Sequence, residues 1–254
     1  AIKQLYLKGI KKFIIGFGGS TVSDFGIGLA YSLGIRFYKD KSKLIQIEGK
    51  ILNAFKLKKI LRIECRDFFF LNKKISLDLL SDSNIKIIGK NGQVNIYAKQ
   101  KNIIGKNRQI LKYGFINFKK ILEKTFKKKL DKPYMGAGGG TVAMLYSIFN
   151  CKLYSGHNYL AKKISLENQI KKSDIIITGE GFFDKSSKTK GIWKIIDFAK
   201  KYKKIIILIV GKFKLIPRIE NFTLYKMFDN QNMTINKRLI KLRTTKICQN
   251  LIIK

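Results

Sequence analysis

The sequence contains little proline, histidine, tryptophan or cysteine. In 254 residues there are 2 prolines, 1 histidine and 1 tryptophan, and we find no linker, internal repeat or histidine-rich metal motif. The three cysteines, Cys65, Cys151 and Cys248, are far apart and include no Cys-x-x-Cys pair. A Cys/His zinc site therefore lacks ligands and a disulfide framework is not expected, which favours a reducing, cytoplasmic compartment.

Acidic residues are also scarce, and this gives the chain its large positive charge. There are 53 basic and 16 acidic residues, a net charge of +37, and 46 of the basic residues are lysine. Proteins that read nucleic acid usually favour arginine and concentrate it on one face. Here lysine is spread along the chain together with Ile, Asn, Phe and Tyr, residues with A/T-rich codons, so a biased genome is the simpler explanation. We expect non-specific nucleic-acid binding at low salt and no specific nucleic-acid partner.

No apolar run approaches the roughly 20 residues of a membrane-spanning helix. The longest, at 205–210, is instead typical of a buried strand. Strand patterns at 11–17, 174–178 and 205–210 alternate with helical patterns at 22–33, 141–149, 164–172 and 193–201. This alternation predicts an α/β fold with mainly parallel sheets and flanking helices. We expect two lobes, an α/β domain over 1–164 and a partial second α/β domain over 165–254.

The first glycine-rich segment follows the strand at 11–17. Gly18, Gly19 and Ser20 lead to Asp24, and glycines here let a ligand approach the backbone closely. The segment fits neither a P-loop, because no Lys-Ser/Thr follows, nor a dinucleotide fingerprint, because Thr21 stands at the third glycine. By itself it is as compatible with a tight structural turn as with a ligand site.

Two further segments have the same strand-and-glycine character. Gly136-Ala-Gly-Gly-Gly-Thr141 precedes a helix and is equally compatible with close helix packing. In Ile177-Thr-Gly-Glu-Gly-Phe-Phe-Asp184, a strand runs into a glycine-flanked acidic turn. Ligands bind at the carboxyl ends of strands in open α/β sheets, so Glu180 and Asp184 are candidate metal or substrate ligands.

Two other polar residues carry less weight. Asp82, in Ser81-Asp-Ser-Asn84, is more typical of a helix cap or turn than of a catalyst. His157 follows Ser155-Gly156 in a predicted loop and has no evident partner set. We assign neither residue to the site.

In this order, the three glycine segments resemble the glycerate kinases of the glycerate 2-kinase type. Gly18-Gly-Ser-Thr-Val-Ser-Asp-Phe-Gly26 is similar to the family's Gly-Gly-Ser-Ala-Thr-Asn-Asp-Gly-Gly, and Pro133-Tyr-Met-Gly-Ala-Gly-Gly-Gly140 to its Pro-Gly-Ala-Gly-Ala-Ala-Gly-Gly loop. The segment 177–184 resembles its Ile-Thr-Gly-Glu-Gly-Arg-Ile-Asp motif, and the similarity extends over about residues 1–211. The resemblance implies a two-lobed fold and ATP-dependent phosphorylation of glycerate with Mg²⁺.

The chain departs from the family pattern at polar positions. Ser23 replaces an Asn, Phe25 a Gly and Phe182 an Arg, and Thr189-Lys190-Gly191 stands where the family has His-Gly-Lys. The family's N-terminal Asp-Ser-Tyr-Lys-Glu-Ser segment has no counterpart, which suggests an N-terminally truncated chain. A degenerate, non-catalytic relative is therefore the main alternative to an active enzyme, and a basic nucleic-acid-binding protein is less favoured.

The resemblance also implies roles for individual residues. The catalytic candidates are Asp24, Glu180 and Asp184, of which Glu180 and Asp184 are the metal candidates. The candidates for binding substrate or phosphate are Gly18, Gly19, Ser20, Gly138, Gly139, Gly140, Thr178, Gly179 and Gly181. Glycerate and a nucleotide are the expected partners, and oligomeric state is left open.

Overall fold

The computed structural model describes residues 1–18, 23–39, 54–82, 84–90, 92–100, 103–217, 220–227 and 237–252. The chain forms two compact units, Ala1–Gly156 and His157–Lys254. The predicted division after residue 164, with an incomplete second domain, stays a prediction. No helix in these described ranges is long and apolar enough to cross a bilayer.

The first unit is a parallel sheet surrounded by helices, with a short antiparallel ribbon of two strands. Its elements are α1 (Ile2–Leu7), β1 (Lys12–Phe17), α2 (Ile27–Ser32), β2 (Arg36–Tyr38), β3 (Arg62–Glu64), β4 (Ser76–Ser81), α3 (Gln93–Gln100), α4 (Gly105–Phe126), α5 (Thr141–Ile148) and β5 (Asn150–Ser155).

The sheet of the first unit has the order β1-β4-β5, and both strand pairs are parallel. Strand β4 is central and buried along nearly its whole length, because Leu77, Leu79 and Leu80 supply apolar side chains to both faces. The ribbon pairs β2 with β3. The buried central strand fixes the register of its neighbours, and so fixes which residues follow at the carboxyl edge.

The core of the first unit is dominated by aromatic rings. The long helix α4 contributes Leu111, Phe115, Phe118 and Leu122, spaced so that one face is apolar. Phe25 packs on Phe115 and Phe118, each with a ring-centroid distance of 5.1 Å. These contacts attach the turn that follows the first glycine segment to the centre of the unit.

The second unit has a three-stranded parallel sheet in the order β6-β7-β8. Ile170, Ile192 and Ile196 pack with the buried residues of β7 on one side of this sheet. On β6, Ile175 and Ile177 are about half exposed. The elements are α6 (Gly156–Lys163), α7 (Leu166–Lys172), β6 (Ile175–Phe183), α8 (Gly191–Lys201), β7 (Ile205–Phe213), β8 (Phe222–Lys226) and α9 (Lys237–Ile252).

The structure confirms the predicted α/β class with parallel sheets and flanking helices. It corrects two local predictions. The helix predicted from residue 22 begins only at Ile27, because Phe25 and Gly26 have left-handed φ values of 63° and 71°, which an α-helix does not accept. His157, predicted in a loop, lies in α6, since the helix starts directly at Gly156.

Candidate active site

The carboxyl ends of three parallel strands meet at one edge of the first unit. Phe17, Ser81 and Ser155 are aligned across the sheet, so the residues after them, Gly18, Asp82 and Gly156, follow at the same edge. Asp82 directly follows the central strand. Its carboxylate lies against Gly156, where a Cβ would come within 2.8 Å of Oδ1. Ligands bind at such edges in parallel α/β sheets.

The Asp24 turn lies beside the second glycine segment. The Asp24 carboxylate accepts a hydrogen bond from the Gly26 amide at 2.9 Å, and the Phe25 amide donates to the Gly139 carbonyl at 3.0 Å. A Cβ on Gly140 would lie 3.1 Å from the Phe25 Cα. The structure therefore brings together Asp24, Gly138, Gly139 and Gly140, which are far apart in the sequence.

The second glycine segment needs glycine at three successive positions. Gly138, Gly139 and Gly140 have φ values of 57°, 64° and 92°, in the left-handed region that side chains disfavour. A Cβ on Gly138 would also lie 2.9 Å from the Phe17 ring. Helix α5 starts immediately afterwards, so its partial positive charge is directed towards this loop. The loop and helix start suit an anionic group.

Gln93 is a site residue that the sequence analysis missed. It begins α3, its amide donates to the Lys86 carbonyl at 2.8 Å, and its side-chain Nε2 donates to Ser23 Oγ at 3.2 Å. Its Cβ is 2.9 Å from the position that a Cβ on Gly136 would take. The Asn91-Gly92 pair just before it, typical of a turn, was the available sequence signal.

Gly19 and Ser20, two predicted binding residues, lie outside the residues that the structure describes. Gly18 is described and follows β1 directly, with open space where a Cβ would be. The roles predicted for all three stay predictions.

The third segment, in the second unit, is not the turn predicted from its glycines. Gly179, Glu180 and Gly181 lie inside β6, which pairs with β7 as far as Phe213. Glycine is disfavoured in strands, but Gly211 of the neighbouring β7 is required. A Cβ at that position would come within 2.6 Å of the Gly181 carbonyl. The two strands thus approach closely, and β6 continues through the glycines.

Glu180 is half-buried and paired with a lysine. Its Oε1 is 3.3 Å from Lys190 Nζ and accepts a hydrogen bond from the Gly181 amide at 3.1 Å. Its side chain keeps 21% of its surface exposed. The carboxylate is thus held in place while remaining accessible to a ligand.

Asp184 follows the end of β6, and its amide donates to Ser187 Oγ at 3.2 Å. Carboxylates are suitable donors for Mg²⁺. Within the described ranges, no three His, Cys, Asp or Glu side chains form a ligand cluster. The predicted assignment of a magnesium ion to Glu180 and Asp184 stays a prediction; a bound phosphate and water would supply the other ligands.

A cavity of about 470 Å³ lies beside Glu180 in the second unit. Gly179, Gly181 and Gly211 form part of its wall, and Ile240 and Thr244 of α9 contribute another part. Its volume is within the range of small-molecule pockets.

These features define a parallel α/β protein in which a glycine loop leads into a helix start that suits an anion, with carboxylates near the ends of the strands. The chain belongs to the glycerate kinase family, whose model matches residues 1–243. This confirms the resemblance seen in the three glycine segments.

Individual relatives agree with this assignment. The chain is 28% identical over 233 residues to a glycerate kinase of Halalkalibacterium halodurans, covering 84% of this chain and 59% of the relative. It is 28% identical over 212 residues to a glycerate 2-kinase of Escherichia coli (83% and 54%). It is 26% identical over 249 residues to an uncharacterized Synechocystis protein (93% and 65%). The chain therefore spans about half to two thirds of the length of these relatives.

A crystal structure from Salmonella typhimurium LT2, of a protein assigned as glycerate kinase 2, has the same fold. Its TM-score is 0.64 at 20% identity, and the match covers 98% of this chain and 67% of that one. At this identity the likeness extends to the fold alone.

Proposed function

We propose that this chain catalyses ATP-dependent phosphorylation of glycerate to phosphoglycerate, in the cytoplasm. The observation that carries the proposal is the hydrogen-bonded junction between the Asp24 turn and the loop of Gly138–Gly140 at the carboxyl edge of the first sheet. Family membership supports it, because two of the glycine segments that carry the resemblance form this junction.

In the first unit, we assign binding of the anionic substrate group to the glycine loop and the start of α5. Gly18, which directly follows β1, is assigned to the same subsite, and the predicted roles of Gly19 and Ser20 stay predictions. Asp24 already accepts one hydrogen bond from Gly26 through Oδ1, so Oδ2 is assigned to a substrate hydroxyl. We add Asp82 to the predicted residues, because it is exposed and directly follows the central strand at the carboxyl edge of the sheet.

In the second unit, the cavity beside Glu180, with Thr178, Gly179 and Gly181 at its wall, has a volume that suits a small-molecule ligand. Magnesium, held by Glu180 or Asp184, would neutralise charge on the phosphate oxygens. The Lys190 side chain lies 3.3 Å from the Glu180 carboxylate. The family carries an Arg at the position that is Phe182 in this chain. A lysine supplies a point charge but not the planar fork of an arginine.

The proposed reaction is transfer of the γ-phosphoryl group to a glycerate oxygen. A bond forms between that oxygen and the γ-phosphorus, and the bond from the γ-phosphorus to the β–γ bridging oxygen breaks. The hydroxyl proton passes to a carboxylate of the first unit, Asp24 or Asp82. The chain's contribution is mainly positioning and charge, as in phosphoryl transfer generally.

The test is ADP release by the purified chain with Mg-ATP, with and without glycerate. We expect glycerate-dependent turnover that falls at least about 100-fold in Glu180→Gln, the scale on which loss of one transition-state contact acts. Glu167→Gln is the matched control, because Glu167 also pairs with one lysine in the second unit, Lys201 at 2.6 Å. It should retain wild-type turnover.

Two results would contradict these assignments. Unchanged turnover in Glu180→Gln would remove Glu180 from the mechanism. No turnover from folded wild-type protein would favour the alternative of a non-catalytic relative, for which the replacement of the family's Arg by Phe182 is the specific observation.

A further inference from the structure

One side-chain oxygen in the first unit is buried without a partner. Gln93 is 1% exposed, and its Oε1 has no hydrogen-bond partner among the residues that the structure describes. Burying an amide oxygen without a hydrogen bond is unfavourable, and native proteins rarely leave such atoms unpaired. A ligand that donates a hydrogen bond to this oxygen would remove the unfavourable burial.

Contacts of the other atoms of Gln93 show which segments lie around this oxygen. The other atom of the same amide, Nε2, donates to Ser23 Oγ at 3.2 Å, so Oε1 also lies near the Ser23–Asp24 turn. The backbone amide of Gln93 is held by the Lys86 carbonyl, and its Cβ is packed against Gly136. The side chain is thus held between the Asp24 turn and the start of the glycine loop, the two segments assigned to the substrate.

We infer that Gln93 is a specificity residue that accepts a hydrogen bond, through Oε1, from the substrate hydroxyl that is not phosphorylated. The inference rests on the proposed function and deepens it. Glycerate carries two hydroxyl groups, and only one becomes the phosphoryl acceptor. The second is a donor without a covalent role, and a buried acceptor is suited to recognise it.

The chemical consequence is discrimination against acids that lack the second hydroxyl. When such an acid binds, the Gln93 oxygen stays buried and unpaired, and sites of this kind reject deoxy analogues strongly. Lactate lacks the 3-hydroxyl of glycerate and 3-hydroxypropionate lacks the 2-hydroxyl. One of these two analogues retains the hydroxyl that is phosphorylated, and it should be the poor substrate.

The experiment compares glycerate, lactate and 3-hydroxypropionate in the wild type and in Gln93→Met. Affinity is measured by calorimetry and turnover by ADP release. In the wild type we expect glycerate to be preferred over both analogues by at least about 100-fold in kcat/KM. In Gln93→Met the preference over the analogue that retains the phosphorylated hydroxyl should fall at least tenfold, because glycerate loses a partner that this analogue never used. Gln109→Met, an exposed position on α4, should keep the wild-type preference.

A purely structural role for Gln93 predicts a different pattern. It predicts lower resistance to urea in Gln93→Met, since the bond to Ser23 is lost, with unchanged preference among the acids. Our inference predicts lost preference whatever the resistance to urea, because the bond to Ser23 and the unpaired oxygen are both removed from the ligand-free chain in either case.

The outcomes separate the two proposals. If the wild type binds none of the three acids, the proposed function fails. If it binds glycerate and the analogues equally, or if Gln93→Met keeps the wild-type preference, the inference about Gln93 fails while the kinase proposal stands. If Gln93→Met does not fold, the wild-type comparison alone decides.

Discussion

Phe25 combines an unfavourable backbone conformation with a favourable side-chain position. Its φ is 63°, in the left-handed region that costs a non-glycine residue about 1–2 kcal/mol. Its ring is fully buried between Phe115 and Phe118. The family pattern has glycine at this position, which suits the backbone, so in this chain ring burial offsets the conformational cost.

Substitutions at Phe25 separate the two contributions. Phe25→Ala removes the ring but keeps the backbone cost, and should lower the free energy of unfolding by about 3–5 kcal/mol. Phe25→Gly also removes the ring but accepts the left-handed conformation, so it should be more stable than Phe25→Ala by about 1 kcal/mol. The expected order of stability is wild type, then Phe25→Gly, then Phe25→Ala.

The matched control is Phe115, which is also fully buried but lies within α4. In a helix interior glycine is worse than alanine by about 1 kcal/mol, so Phe115→Gly should be less stable than Phe115→Ala. The two positions should therefore give opposite orders for the same pair of substitutions.

The assay is urea-induced unfolding followed by far-UV circular dichroism, with extrapolation to zero urea. Fluorescence of Trp193, the only tryptophan in the sequence, provides a separate readout from the second unit, where its ring stacks on Phe183. If Phe25→Ala proves as stable as Phe25→Gly or more so, the argument from the left-handed backbone is refuted.

Two further predictions concern a buried thiol and the missing arginine. Burial raises the pKa of the Cys151 thiol to about 12 from 9.0. Between these two pH values the folded chain keeps a proton that the unfolded chain releases. The thiol's contribution to the free energy of unfolding is therefore constant below pH 9 and is lost as pH rises from 9 towards 12. Urea midpoints measured across that range should fall more steeply in the wild type than in Cys151→Ala, and parallel profiles would contradict the assignment. Phe182, 40% exposed, stands where the family has an arginine, so Phe182→Arg should raise kcat in the ADP-release assay by at least about tenfold, with Phe182→Leu unchanged. An equal kcat in both variants would mean that the lost arginine does not limit the rate.

Regular elements with strong periodicity were predictable from the sequence. The parallel strand at 205–210 and the helix at 141–149 appear as β7 and α5, because continuous apolar runs and helical spacing are local signals. The family assignment was equally accessible, since it depends on the order of three glycine segments along the chain.

The glycines were harder to interpret. Those flanking Glu180 were predicted to form a turn, but they lie within β6, where pairing with β7 continues. A Cβ would be crowded at Gly179, 3.0 Å from the Ile209 carbonyl, and at Gly211 of β7, 2.6 Å from the Gly181 carbonyl. A single sequence shows that glycine is present but not which neighbour requires it. The same holds at Gly136, whose missing side chain makes room for Gln93 and the Lys86 carbonyl.

By itself, the sequence determined the α/β class, the parallel strands and the family, because these depend on local periodicity and on motif order. Only the tertiary structure decided that Asp82 follows the central strand beside Gly156, that Asp24 adjoins the glycine loop, and that Gln93 is buried with an oxygen that no described residue pairs. These relations join segments distant in the chain through strand register and packing. Such long-range pairing leaves no periodic signal in the residues that take part in it.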